Sequence, residues 1–162
     1  MDNRENDKLE KLLWSIALPG FGQLLNGQYI KGIVFIALEF LVNVQGGFNE
    51  AIVSSFYGNQ AAAIQQIDYG WLMFYPCLYC FAAWDAYKEA SGKMPPYAFL
   101  PFVFAAYFVT VGLIYSPIVR LMGVLVGPIW LPMLFLIPGI GIGLIIRSLL
   151  IKVHGKKIID NK

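Results

Sequence analysis

The placement of lysine and arginine between apolar runs constrains this chain more than any other feature. Of its twelve such residues, eleven fall on one face of a bilayer in a single threading, and only Arg120 falls on the other. Such one-sidedness is what membrane insertion imposes on short loops, where cations stay on the cytoplasmic side. A soluble fold is a poor alternative, because charged residues make up 14% of the chain against about a quarter in ordinary soluble domains. The 162 residues suffice for one compact bundle and leave no room for a second domain.

The apolar runs supply the spans. A crossing helix needs about 20 mostly apolar residues. Residues 67–87 and 97–115 meet that length, and each carries aromatic side chains near its ends (Trp71 and Trp84; Tyr97 and Tyr115), as at headgroup level. Between them Gly92 and Pro95-Pro96 stop one helix and start the next, which predicts a helical hairpin. Residues 30–47 form a further span, with its strictly apolar part ending at Gln45. Residues 121–146 form the last, interrupted by Pro128, Pro132 and Pro138 and by five glycines, so a kinked or broken helix is expected there.

Residues 12–25 are apolar but short, and Pro19-Gly20 divides them. A run of this length suits a re-entrant element, with a fifth crossing as the alternative. It is a poor secretory signal, because Asp2, Glu5, Asp7 and Glu10 offset the preceding cations and no small-residue cleavage site follows. Residues 46–66 hold no lysine or arginine and repeat apolar positions at helical spacing, with Gly58 as a break, which predicts a helix lying in the interface. The expected architecture is therefore an all-α polytopic membrane bundle of about four transmembrane helices plus the short N-terminal segment. Residues 1–11 form a cytoplasmic tail, 12–146 a single transmembrane domain, and 147–162 a basic cytoplasmic tail. Arg4, Lys8, Lys11, Lys31, Lys88, Lys93, Arg147, Lys152, Lys156, Lys157 and Lys162 then share the cytoplasmic face. The basic tail can also attract anionic headgroups, at about 1 kcal/mol per cation.

The local chemistry is concentrated in three places. Residues 18–32 read LPGFGQLLNGQYIKG. Pro19 removes a backbone donor, Gly20 and Gly22 permit tight turns or close approach, and Asn26-Gly27 is a strong turn pair. Gln23, Asn26 and Gln28 supply amides to satisfy such a break, and Lys31 can extend to the interface. Glu39 lies mid-span, where a charged carboxylate costs about 2.5–3.5 kcal/mol, so it must face the bundle interior, protonated or paired, with Asn43 one turn away as a partner. Asp85 stands near the end of its helix, against the dipole, and needs a partner such as Lys88 or the backbone at Pro19-Gly20.

The PGxGQ…NGQ…KG stretch resembles that of small bacterial membrane proteins related to the TM2-domain family, and Trp84-Asp85-Ala86-Tyr87 resembles the "DAY" ending of a later helix in such proteins. The likeness covers roughly residues 12–45 and 80–90. It lacks the HRFY-like element of the eukaryotic-type pattern, and about 20 residues separate the second and third segments. It implies a polytopic membrane protein and supplies no reaction.

Catalytic constellations are not evident. Cys77 and Cys80 form a CxxC without a second cysteine pair or a quinone-site signature, and His154 is the sole histidine, so no metal or cofactor is expected. No Walker, HExxH or GxSxG pattern is present, and no basic face interleaved with aromatics points to nucleic acid. The expected function is that of a non-enzymatic accessory, scaffold or assembly partner in the cell membrane, surrounded by lipid and associated with a membrane protein or with its own copies. Two alternatives are a small oligomeric transporter or channel using Glu39, and a membrane thiol oxidoreductase using Cys77 and Cys80.

Overall fold

The computed structural model describes residues 3–92 and 94–160, with side chains for 5–92 and 94–154. Of the cations used for orientation, Lys93 and Lys162 lie outside the described residues, as do the side chains of Arg4, Lys156 and Lys157.

Among the described residues the regular structure is helical apart from one small hairpin. Helix α1, Asn3–Ala17, takes in most of the expected N-terminal tail together with the first apolar residues after it. Pairing across one turn explains it: Lys8 reaches Glu5 at 3.0 Å and Lys11 reaches Asp7 at 2.7 Å. The helix stops at the interruption expected of Pro19 and Gly20, and Gly20 takes a φ of 106° that a side chain would resist. The chain then doubles back through α2, Phe21–Leu25, before α3, Tyr29–Gln45.

Next come α4, Phe48–Phe56, and α5, Gln60–Gln66, separated at Tyr57-Gly58. Asn59 starts α5 by accepting a hydrogen bond from the Ala62 amide at 3.1 Å. The run at residues 67–87 is not one helix. Asp68 caps a single turn, α6 (Tyr69–Leu72), and α7 begins only at Tyr75 and continues to Ser91. Pro76 has no amide with which to continue the ladder but fits the first turn of a new helix, so the chain restarts there. Helix α8, Leu100–Tyr115, likewise carries Pro101 in its first turn.

The last run differs most from expectation. Residues 120–125 form a two-stranded hairpin, β1 (Arg120–Leu121) against β2 (Val124–Leu125). Met122 and Gly123 both have positive φ, 49° and 83°, the geometry of a tight hairpin turn. From Gly127 a single helix, α9, runs to Asp160 with Pro132 and Pro138 inside it. The helix is thus continuous where the sequence led to a break, and the expected basic tail continues α9 as helix. Pro128 lies in the first turn, where its missing amide is harmless. Beside the inner prolines α8 packs unusually close. A Cβ on Gly112 would lie 2.9 Å from Pro132 Cα, and one on Gly143 would lie 2.6 Å from Pro101 Cα. These contacts also fix α8 and α9 as antiparallel.

Helices α3 and α7 are antiparallel too, with Lys31 opposite Asp85, Phe35 against Phe81 and Glu39 opposite Tyr75. One end of the bundle thus gathers Lys31, Asp85, Tyr97, Arg147 and His154, where Arg147 donates to the Pro96 carbonyl at 3.1 Å. The opposite end holds α4, α5 and α6 against the start of α9, around a core of Ala51, Ala63, Ile67, Leu72, Leu113 and Ile129.

One helix, Gly127–His154, is long and apolar enough to cross a membrane. Its 28 residues measure about 42 Å. Helices α3 and α4 pass that test only together, and they are bent by 65° at Gly46-Gly47. The apolar α8 has 16 residues, about 24 Å, which is short of the roughly 30 Å hydrocarbon layer. Outward faces are nonetheless apolar: Ile30 and Phe40 on α3 and Ile137 on α9 are at least 70% exposed.

Candidate functional site

Three of the residues singled out in residues 18–32 converge on Asp85 and its helix. Gln23, fully buried, donates through Nε2 to the Ala82 carbonyl at 2.7 Å and to Asp85 Oδ2 at 3.1 Å. Lys31 Nζ donates to Asp85 Oδ1 at 2.9 Å. Asn26 Nδ2 donates to the Ala86 carbonyl at 2.9 Å. The two motifs that resemble the TM2-related pattern therefore meet as one polar clasp between α2, α3 and α7.

The clasp depends on how α1 and α2 fold back. Helix α2 fits between α1 and α7 because residue 22 is glycine: a Cβ there would meet Lys11 O at 2.5 Å and Ala86 Cβ at 2.6 Å. Gly27, with φ of 76° and open space around it, serves the turn instead. Pro19 is fully buried at the reversal.

Lys31 sits in the first turn of α3 and opposes that helix's dipole, whereas Asp85 lies six residues before the end of α7, inward of its last turn. Antiparallel packing brings them together, and the carboxylate offsets the dipole penalty on Lys31. The expected partner Lys88 is displaced for this reason, and the Pro19-Gly20 backbone is not the acceptor or donor for Asp85. Lys31 pairs with Asp85 while its side chain remains 41% exposed.

Glu39 is 6% exposed and faces the bundle interior, as its chemistry requires. Its partner is Tyr75, whose hydroxyl donates to Oε1 at 2.9 Å. Asn43, the expected partner, instead donates to Asn49 at 3.3 Å. Glu39 Oε2 has no partner among the described residues. Tyr75→Phe should therefore cost about 1–3 kcal/mol by stripping a buried carboxyl of its donor, while Glu39→Gln, which can still accept from Tyr75, should cost less. Thermal unfolding in detergent measures both, and equal effects would show that the Tyr75 hydroxyl is not the stabilising contact.

Tyr75 is not legible as a site residue from the sequence, although the antiparallel register implied by a Lys31–Asp85 pair places it near Glu39. Cys77 and Cys80 are free thiols, Cys77 exposed and Cys80 half-buried. His154 is far from them, at the opposite end of the bundle beside Tyr97. Among the described residues no three His, Cys, Asp or Glu side chains gather as metal ligands would.

No protein-family model, no curated protein and no solved structure matches the chain. The likeness to TM2-related proteins rests on the motif residues themselves.

Proposed function

We propose that the chain is a multi-pass protein of the bacterial cell membrane, related to TM2-domain proteins, that acts without catalysis as an accessory or scaffold subunit. In this reading α3, α7, α8 and α9 cross the bilayer, and α1 with α2 forms a re-entrant hairpin entering from the cytoplasmic face. The N- and C-termini are cytoplasmic.

The observation that carries the proposal is the segregation of polarity. The described cations collect at the end of the bundle that holds Lys31 and Arg147, apart from Arg120 in the hairpin at the other end. Buried polar groups (Gln23, Glu39, Asp85) face helix neighbours, while the outer faces of α3 and α9 present large apolar side chains to the surroundings. That is the reverse of a soluble bundle. The α1–α2 hairpin supports the re-entrant threading, since Gly22 returns to the level of Lys11 and Ala86. The short spans fit a bilayer when flanking residues adapt to the mismatch.

The scaffold role rests on where the polar side chains are committed. Gln23, Asn26, Lys31 and Asp85 are engaged in holding helices together, which leaves apolar outer faces available for association. Affinity purification of the tagged chain in mild detergent tests this. A stoichiometric membrane partner or a second copy is expected. Recovery of a lone monomer across several detergents would contradict it.

A further inference from the structure

Between α4, α7, α8 and α9 lies a cavity of about 510 Å³ that the polar clasp does not use. Its wall is formed by Ile52, Tyr79, Cys80, Val109, Leu113 and Ile129. An engineered apolar cavity of about 150 Å³ already admits benzene, and this one is more than three times larger. Water is a poor filler, because a buried water needs two to four polar partners. Among the described lining residues the side chains with a polar atom are Tyr75, Tyr79 and Cys80, and the Tyr75 hydroxyl is engaged by Glu39. Left empty, the wall loses the dispersion contacts that close packing supplies.

The rim indicates the direction of entry. Ile16, Phe56 and Met133 line the cavity and are also 46–67% exposed, so an apolar path connects it to the outer surface. We infer that the cavity is a binding site for one acyl chain of a bilayer phospholipid, drawn sideways from the leaflet opposite the cationic end. This rests on the multi-pass reading, which places the rim in hydrocarbon. The leaflet follows from position: the cavity is lined by α4 and the first turns of α7 and α9, which lie at the end away from Lys31 and Arg147. A linear chain suits a space shared by four helices, and the scarcity of polar groups excludes a ligand held by its headgroup inside.

Photo-crosslinking tests the site. The full chain is reconstituted into phospholipid vesicles containing a phosphatidylcholine with a diazirine midway along one acyl chain, irradiated, and mapped by peptide mass spectrometry. Leu113 and Ile129, 3% and 7% exposed, are out of reach of lipids that merely surround the protein. Labelling of these two residues is expected in addition to labelling of the outer residues Phe40 and Ile137. Val109→Trp, and separately Ile52→Phe as a milder filling, should reduce inner labelling, by about tenfold for the larger substitution, because occupied space removes the apolar contacts that retain the chain. Outer labelling should persist in both.

Labels confined to Phe40 and Ile137 would overturn the cavity site and leave the membrane reading standing. Inner labelling unchanged in both folded variants would also overturn it. Absence of label at Phe40 and Ile137 would count against the membrane reading itself. Should a variant fail to fold, the labelling pattern of the unsubstituted chain still decides whether the cavity holds lipid.

Discussion

Asp85→Leu is expected to destabilise the protein by about 1–3 kcal/mol and to lower its steady-state abundance. Breaking a fully buried ion pair costs about 3–5 kcal/mol because the surviving charge is stranded. Here Lys31 is 41% exposed and can partly rehydrate, which reduces the effect. Gln23 cannot escape in the same way, because it is fully buried and loses one of its two acceptors. The substitution should therefore act through two helices at once. Pairing it with Lys31→Met removes the stranded charge, so the double variant should be more stable than the sum of the single losses implies. Unfolding in detergent followed by circular dichroism gives the four stabilities needed. Strictly additive losses would mean that Lys31 and Asp85 do not stabilise one another.

Gly143→Leu should force α8 away from α9, with a loss of about 3 kcal/mol or failure to accumulate. A Cβ at this position would lie 2.6 Å from Pro101 Cα and 2.8 Å from Leu100 O, and backbone atoms cannot rotate aside. Gly139 is similarly enclosed, since a Cβ there would lie 2.8 Å from Phe104 O and 3.0 Å from Ala105 Cα. A Cβ at Gly141, two residues from each on the same helix, would meet nothing of the other helices within 4 Å. Gly141→Leu is thus an internal control with the same change in helix propensity, and it should hold or modestly raise the melting temperature. Comparable losses at residues 141 and 143 would rule out the close backbone contact as the cause.

The interruptions near Pro19-Gly20 and Gly58 are legible in the sequence because each depends on local backbone chemistry. Asp85 is also legible as a residue in need of a partner, since the sequence ends its helix near Tyr87, where a carboxylate opposes the dipole, although α7 runs on to Ser91. The identity of the partner is not. Lys88 is nearer in sequence, and only the antiparallel register of α3 and α7 brings Lys31 to Asp85. Tyr75 is hidden for the same reason, because its hydroxyl meets Glu39 across that register.

Local rules understate the continuity of α9. Pro132 and Pro138 weaken a helix in isolation, but tight packing against α8 is a tertiary contribution that composition does not display. The hairpin at residues 120–125 merges into an apolar run in the sequence because Arg120, Met122 and Gly123 interrupt it only briefly. Likewise Pro76 lies inside an apolar stretch of spanning length, yet it begins a helix there.

Cysteine accessibility tests the multi-pass threading most directly. With Cys77 and Cys80 replaced by alanine, single cysteines at Asn3, Asn59, Gly92 and Asp160 can be probed in intact cells with a membrane-impermeant maleimide. Asn59→Cys should react from outside, and the other three only after permeabilisation. Reaction of the Asn59 and Gly92 positions from the same side would break the alternation on which four crossings depend, and would contradict the proposed topology.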